Sequence, residues 1–380
     1  MANTFKFGNE NWATKKEAVL AYNDENNNFK PLPFTFDRAS TATVVNSDGL
    51  IETVGIDEPR IDFLNNSKGH LLLEPQRQNL ITNYTGASFT AFNGASITAN
   101  DSVSPDGTTN ATLMTTTGSA NELIQQASIS ISSGQSYTVS GYFKLKSGTL
   151  SDPDNAFKGL DGLNGGGITG STFNSTLTSE WQRLSFTVTS STTLGRVQIK
   201  CEDAAEILVW GLQVELGAYE TSIIPTSGSA VTRSAETCNS AGNSTVFNDS
   251  EGVLYAEIAA LADDSTYRFL SISDGSSSNR VFIGYRNTSN NFYVLAGTAS
   301  AFIPHNITDV TKIAVKYKSG DTSVFIDGLE AALKTDTYTL SGLNELAFDS
   351  GTGSPFYGKV KEVKVYNTAL TDAELIALTS

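Results

Sequence analysis

The chain has 380 residues and a formal net charge of −15, from 25 Lys and Arg against 40 Asp and Glu. That balance argues against nucleic acid or an anionic membrane as a partner, because both call for a basic surface. Charged residues are only 17% and apolar residues 39%, so the chain has enough apolar content to fold and too little charge for disorder. The length suits two or three domains. Frequent Gly, Ser, Thr and Asn between short apolar runs favour all-β structure with many turns. The start, Met-Ala-Asn-Thr-Phe-Lys-Phe, lacks the basic and apolar regions of a signal peptide. No run approaches the roughly 18 apolar residues of a membrane span. These features predict a protein made in a cytoplasm and not inserted in a membrane.

Residues 1–30 are polar and Asn-rich. Trp12 to Tyr22, with Trp12, Ala13, Val19, Leu20 and Tyr22 apolar, predicts a short helix that Asn23–Asn28 ends. Phe34-Thr35-Phe36-Asp37-Arg38-Ala39-Ser40 follows. Asp48-Gly49 predicts a hairpin turn, since Asp-Gly favours the primed turns. Arg60–Phe63 is a short strand candidate. In Leu71-Leu72-Leu73-Glu74-Pro75-Gln76-Arg77 the proline stops the strand, because it has no ladder donor. Nothing up to residue 83 is long enough to bury its own core. The segment is therefore expected either to pack on other subunits or a particle, or to pad the following domain.

From Thr82 to about Ile224 the alternation is clean. Tyr137, Val139, Phe143 and Leu145 share one face of Ser136–Lys146; Leu184, Phe186 and Val188 alternate with polar neighbours; Val197, Ile199 and Cys201 repeat the pattern. Strands with one apolar face suit two sheets packed face to face. Ser104-Pro105-Asp106-Gly107 is a strong turn. Residues 225–250, rich in Pro, Ser, Gly, Thr and Asn, read as a linker with an elbow at Thr232-Arg233-Ser234-Ala235-Glu236. A second β-domain starts near Gly252. Its clearest strand is Lys312–Lys318, turned by Ser319-Gly320-Asp321, with a second turn at Asp327-Gly328. Thr371-Asp372-Ala373-Glu374 is a capping box that opens a final short helix. The division is 1–83 attachment segment, 84–225 first β-domain, 226–250 linker and 251–380 second β-domain.

Several motifs carry resemblances. Leu71–Leu80 resembles the LLxEPxRTNL joint of phage tail-fibre and head-fibre proteins, with Gln78 in place of the usual Thr. Trp210-Gly211-Leu212-Gln213-Val214-Glu215-Leu216-Gly217, Ile224-Pro225-Thr226 and Val231-Thr232-Arg233 follow in the order those proteins show. Phe34–Thr43 resembles the FxFxRASxAT stretch next to that joint. The first β-domain resembles jelly-roll carbohydrate-binding modules through Ser104–Thr108, Gly141-Tyr142-Phe143-Lys144 and Trp210-Gly211. Val324–Gly328 and Val365–Leu375 resemble the closing hairpin and ending of laminin-G-like, concanavalin-type lectin domains. The resemblances imply tandem antiparallel β-sandwiches, a jelly roll plus a concanavalin-like domain, after a mixed N-terminal segment. They also imply a virion fibre or decoration protein released by lysis, with other virion proteins and itself as partners in a homotrimer. Arg38, Glu74, Pro75, Arg77 and Arg233 are then the assembly or joint residues.

Signs of catalysis are sparse. His70 and His305 stand outside any catalytic motif, and Glu-x-Asp-x-x-Glu, the carboxylate pattern of glycoside hydrolases on concanavalin-type folds, does not occur. Gln198-Ile199-Lys200 lacks the histidine of lyase-type strands, and no GxSxG element is present. Gly165-Gly166-Gly167 is no phosphate loop, because no Lys-Ser/Thr follows. Cys201 and Cys238 lack metal-ligand spacing; Cys201 reads as a buried apolar residue, and a Cys201–Cys238 disulfide stays open. The chain is therefore not read as an enzyme. Hard cations want clustered oxygens, which makes Asp101, Asp106, Asp263 and Asp264 the candidates for a structural Ca²⁺, against the plainer reading of solvated turn aspartates. Sugar sites on sandwiches use exposed aromatic faces. Tyr142, Trp181, Trp210 and Tyr357 are the candidates, with Trp181 and Trp210 equally suited to a core and Tyr142 the better exposed. A virion protein with weak glycan binding is the leading expectation. A free bacterial glycan-binding module is the first alternative, and a polysaccharide hydrolase or lyase the second.

Overall fold

The computed structural model describes residues 4–23, 30–150, 157–161 and 177–380. The fold is all-β: tandem antiparallel sandwiches, with one short helix, Asp372–Thr379, among the described residues. The Gly165–Gly167 run lies outside the described residues.

In the first sandwich one sheet runs Thr90–Phe92, Leu123–Ser130, Leu194–Cys201, Phe157–Asp161. The other runs Ser96–Val103, Thr109–Thr115, Ala205–Leu216, Ser136–Gly148, Gln182–Thr189. Tyr137, Val139, Phe143, Val197, Ile199 and Cys201 meet in the core, as period-2 alternation requires. Alternation with Val139 and Phe143 puts Tyr142 on the outer face, and an extra residue in the partner strand at Gly211 (φ 65°) sets Trp210 beside it, edge-on at 5.8 Å.

The second sandwich packs a five-stranded sheet on a larger one. The first runs Ala299–Pro304, Asn291–Ala296, Arg280–Tyr285, Arg268–Ser273, Glu345–Ala347. The larger sheet is centred on Thr311–Lys318, Glu251–Ala260 and Gly358–Tyr366. Asp327 and Gly328 both have positive φ (48° and 81°), the geometry of a type I′ hairpin. Thr371 and Glu374 cap the helix reciprocally, and Leu375 is buried beside Phe325 and Leu370.

Three expectations change. The stretch Trp12–Tyr22 is not a helix: Thr14–Lys15 and Ala18–Val19 form a tight hairpin with Glu17 at φ 66°. Local apolar spacing there is overridden by burial of Val19 and Ala21 in the second core.

Residues 1–83 are not a detached attachment segment either. Phe5–Gly8 pairs with Gly358–Tyr366 in register Phe5↔Val365 to Gly8↔Glu362, and His70–Leu73 pairs with the other end of the same strand. Phe5, Phe7, Phe34, Phe36, Leu71 and Leu73 lie in the core of the second sandwich. The segment that could not bury its own core completes another one, pairing Phe5 with Val365 near the far end of the chain.

The 226–250 linker is likewise built in. Val231–Arg233 pairs with Arg77–Asn79, and Thr237–Asn239 with Phe34–Asp37. Cys201 and Cys238 are free thiols buried in different cores, which excludes the disulfide.

Candidate functional site

Strand Phe34–Asp37, the Leu73–Pro75 strand end and the 231–236 elbow converge on a buried ion cluster. Arg38, Arg60, Glu74, Arg233 and Glu236 are all buried. Arg60 Nη2 lies 2.5 Å from Glu236 Oε2 and 2.9 Å from Glu74 Oε2. Arg38 Nη1 lies 2.8 Å from Glu236 Oε1, and Arg233 Nη1 lies 2.8 Å from Glu74 Oε2. Arg233 Nη2 also donates to the Pro75 carbonyl at 2.7 Å.

Burial alone would push the Glu74 carboxyl up. Arg233, Arg60 and two Ser222 hydrogen bonds outweigh that and hold it well below the usual carboxylate range. Burial pulls the Arg233 guanidinium below its ordinary value, with Glu74 opposing.

Of the expected assembly residues, Arg38, Glu74, Pro75 and Arg233 thus hold the chain's own parts together. Arg77 stays outside the cluster, its guanidinium 5.0 Å from the Tyr219 ring centre. Buried as they are, the cluster residues do not face a neighbouring subunit.

Beside the cluster is a cavity of about 220 Å³. The Ala42–Val45 hairpin forms one wall, Tyr142 and Arg183 of the first sandwich a second, and Leu261 and Lys359 of the second sandwich a third. Asp62 and Glu220 add carboxylates. Burial pushes the Tyr142 phenol up; Arg183 opposes this, while Asp62 and Glu220 add to it. Tyr142 is the one sugar candidate in this cavity. Trp210 is buried behind it, and Trp181 is half-buried, its Nε1 donating to the Val103 carbonyl at 3.3 Å. Tyr357 lies under Arg268 in a crevice of about 10 Å³, too small for a sugar ring.

A second aromatic site was missed by the sequence reading. On the outer face of the five-stranded sheet, cross-strand partners line up Phe269, Gly284, Tyr293 and Phe302. Phe282 fills the next position. Ring centres lie 4.5 Å apart for Phe269–Phe282, 4.9 Å for Phe282–Tyr293 and 4.7 Å for Tyr293–Phe302. Tyr267 stacks on Phe269 at 5.6 Å.

The row is anchored in its middle and open at its ends: Phe282 is 1% exposed, Tyr267 38% and Phe302 48%. Arg286 sits 4.0 Å over the Phe302 ring, within cation–π range. Gly284 makes room, since a Cβ there would stand 2.3 Å from Phe269 Cδ1. The signal lay in parity. Leu270, Ile272, Ile283, Phe292, Val294 and Ile303 point into the core, so aromatics at the opposite parity of the same strands are surface rings.

The aspartates proposed for calcium are otherwise engaged. Asp101 pairs with Lys146 at 2.8 Å. Asp106 accepts from Ser104 Oγ, Thr108 N and Oγ1 and Asn110 Nδ2. Asp264 pairs with Arg268, and Asp263 accepts from Ser289 and Asn290. Among the described residues no three His, Cys, Asp or Glu converge as a metal site. His70 is buried 3.3 Å from Asp62, and His305 is hydrogen-bonded to Thr311 at 3.1 Å.

No curated protein matches the chain. Among solved structures it is similar to the carbohydrate-binding module CBM40 of Ruminococcus gnavus IT-sialidase bound to α2,3-sialyllactose, with 18% identity, 36% of this chain and 85% of that one covered, and a TM-score of 0.31. The CBM22-1 xylan-binding domain of Paenibacillus barcinonensis Xyn10C gives 17% identity, 38% and 94% coverage, and a TM-score of 0.28. Domain 4 of the arabinanase AbnA from Geobacillus stearothermophilus, in complex with arabinotriose, gives 15% identity, 38% and 73% coverage, and a TM-score of 0.30. Residues 237–376, the second sandwich with the Thr237–Asn239 strand before it, match the family model of the concanavalin A-like lectin/glucanase superfamily.

Proposed function

We propose that the chain is a non-catalytic glycan-binding protein, and that the aromatic row of the second sandwich is its carbohydrate face. The row itself carries this reading. Tyr267, Tyr293 and Phe302 present ring surface on a rigid sheet, and Arg286 supplies a polar edge. Sugars stack their C–H faces on such rings, while polar groups at the edge fix orientation. The family match over residues 237–376 supports the lectin-like reading.

The test is affinity electrophoresis and calorimetry against a polysaccharide panel, with Phe302→Ala and Tyr267→Ala. Loss of both rings is expected to weaken binding at least about tenfold, equivalent to about 1.4 kcal/mol. A folded double variant that binds every positive glycan as tightly as the parent would refute the assignment.

A second reading places the same binding chemistry on a phage particle, in several copies whose weak contacts add by avidity. It is supported by one observation: Arg38, Glu74 and Arg233, which carry the resemblance to phage fibre proteins, are three of the five residues of the buried ion cluster. Gold-labelled antibody against residues 251–380 on intact phage tests it, together with light scattering for the expected trimer. Unlabelled particles would remove this reading and leave the glycan-binding one standing.

A further inference from the structure

We propose that the cavity between the sandwiches is a second ligand site, for a single uronic-acid ring. It shares no residue with the aromatic row, so it stands or falls separately from that face.

Three of the acidic and basic groups lining the cavity have evident partners. Glu74 is held by Arg60 and Arg233. Asp62 accepts from the Val45 amide at 2.9 Å and lies 3.3 Å from His70. Glu220 accepts from Ser185 Oγ at 2.9 Å.

The cations are different. Arg183 donates Nη2 to the Thr221 carbonyl and lies 5.7 Å over the Tyr142 ring, yet no described carboxylate stands within ion-pair distance of it. The Lys359 amine also forms no ion pair with a described residue. Both line the same cavity, and the Arg183 Nε is buried there without a hydrogen-bond partner among the described residues. They mark a place for a carboxylate, which a guanidinium recognises through paired N–H donors.

A bare anion is a poor fit. Asp62 and Glu220 line the same space, and a dense dianion such as phosphate would face both. Hydroxyl groups, in contrast, donate to carboxylates. The Tyr142 ring adds a flat apolar surface for the C–H face of a sugar. One molecule satisfies all three demands: a pyranose ring that carries its own carboxylate.

Size sets the limit. At about 30 Å³ per water the cavity holds roughly seven waters, below the range of about 300 Å³ and more typical of drug-sized sites. That is room for one ring. The cavity is accordingly assigned to a terminal residue or a free monosaccharide, whereas an open row of rings suits a chain.

The experiment uses the full chain and ligand-observed NMR with calorimetry. The probes are methyl glucuronide, methyl galacturonide, their neutral counterparts methyl glucoside and galactoside, and inorganic phosphate. At least one uronide is expected to bind about tenfold or more tighter than its neutral counterpart and than phosphate. Arg183→Leu should lower that affinity about tenfold, and Lys359→Gln several-fold, while Phe302→Ala leaves it unchanged. Arg183→Lys, which keeps the charge and the fold but not the planar fork, serves if the leucine variant does not fold. The site is overturned if neither uronide binds, if neutral sugar or phosphate binds equally well, or if folded Arg183 and Lys359 variants bind the uronide like the parent.

Discussion

Glu236→Ala is the sharpest probe of how this chain is held together. Glu236 is fully buried and accepts four hydrogen bonds: from Arg38 Nη1 at 2.8 Å, Arg60 Nε at 2.8 Å, Arg60 Nη2 at 2.5 Å and the Glu74 amide at 2.8 Å. Its removal leaves Arg38, Arg60 and Arg233 facing Glu74 as the one remaining carboxylate of the cluster. Breaking a buried ion pair from one side costs about 3–5 kcal/mol, because the partner charge stays buried without compensation. The orphaned Glu74 amide adds about 1 kcal/mol. An unfolding entropy of about 2.1 cal/mol/K per residue gives about 0.8 kcal/mol/K for the whole chain, so a Tm drop of about 5–8 °C is expected if it unfolds as a unit. Glu236→Gln keeps the shape and one acceptor and should lose less. Calorimetry and urea titration followed by Trp fluorescence provide the readout; Trp12 reports on the second core, and Trp181 and Trp210 on the region around the first. A Tm within about 1 °C of the parent in the alanine variant would refute the view that these charges depend on one another.

Three further outcomes follow from the geometry. Residues 237–380 expressed alone lack Phe5, Phe7, Phe34 and Phe36, each at most 1% exposed in the full chain; the fragment should bind ANS and lose near-UV CD, and a sharp cooperative melt would contradict this. Gly284→Ala places a Cβ 2.0 Å from the Arg268 carbonyl oxygen and 2.3 Å from Phe269 Cδ1; it should cost about 1–3 kcal/mol through overpacking and weaken polysaccharide binding, and an unchanged Tm would count against the packing described. Burial pushes the Glu215 carboxyl up, with Thr221 hydrogen bonds opposing. A carboxyl whose folded pKa is raised contributes stability that is present below its unfolded value and lost as pH rises through the folded one. Glu215→Gln should therefore gain on the parent between pH 4 and pH 8 in a Tm series; a variant that falls further behind as pH rises would reverse the sign.

What could be read from the sequence followed the range of the interactions. Strands such as Ser136–Gly148 and Thr311–Lys318 announce themselves because alternation is local, and so does the Thr371–Glu374 cap. The N-terminal segment did not, since Phe5 and Phe7 are explained only by Val365 and Val363 across the chain. A short apolar cluster at Trp12–Tyr22 reads equally as one turn of helix or as a hairpin, and distant burial decides. The aromatic row was hidden for a related reason. Phe269, Tyr293 and Phe302 are ordinary core residues by type, and only their parity against Leu270, Val294 and Ile303 puts them outside. The motifs around Arg38, Glu74 and Arg233 were visible as motifs, but their meeting point was not, because it joins residues nearly 200 positions apart.

That meeting point gives the buried charges a role beyond stability. Well-packed apolar side chains often hold an interior as firmly as an ion cluster does, so stability alone is a weak reason for one. Directional bonds do something apolar contacts cannot: they fix the position of each element. Glu74 accepts from both the amide and the hydroxyl of Ser222, and Glu74, Thr221 and Ser222 form one wall of the cavity between the sandwiches. Strand end, elbow and cavity wall are therefore set by the same few contacts. Glu236→Gln, chosen because it should stay folded, will then weaken uronide binding in the cavity while polysaccharide binding at the separate aromatic row stays as it was. Equal losses at both places would show instead that the cluster acts through overall stability and not through the shape of the cavity.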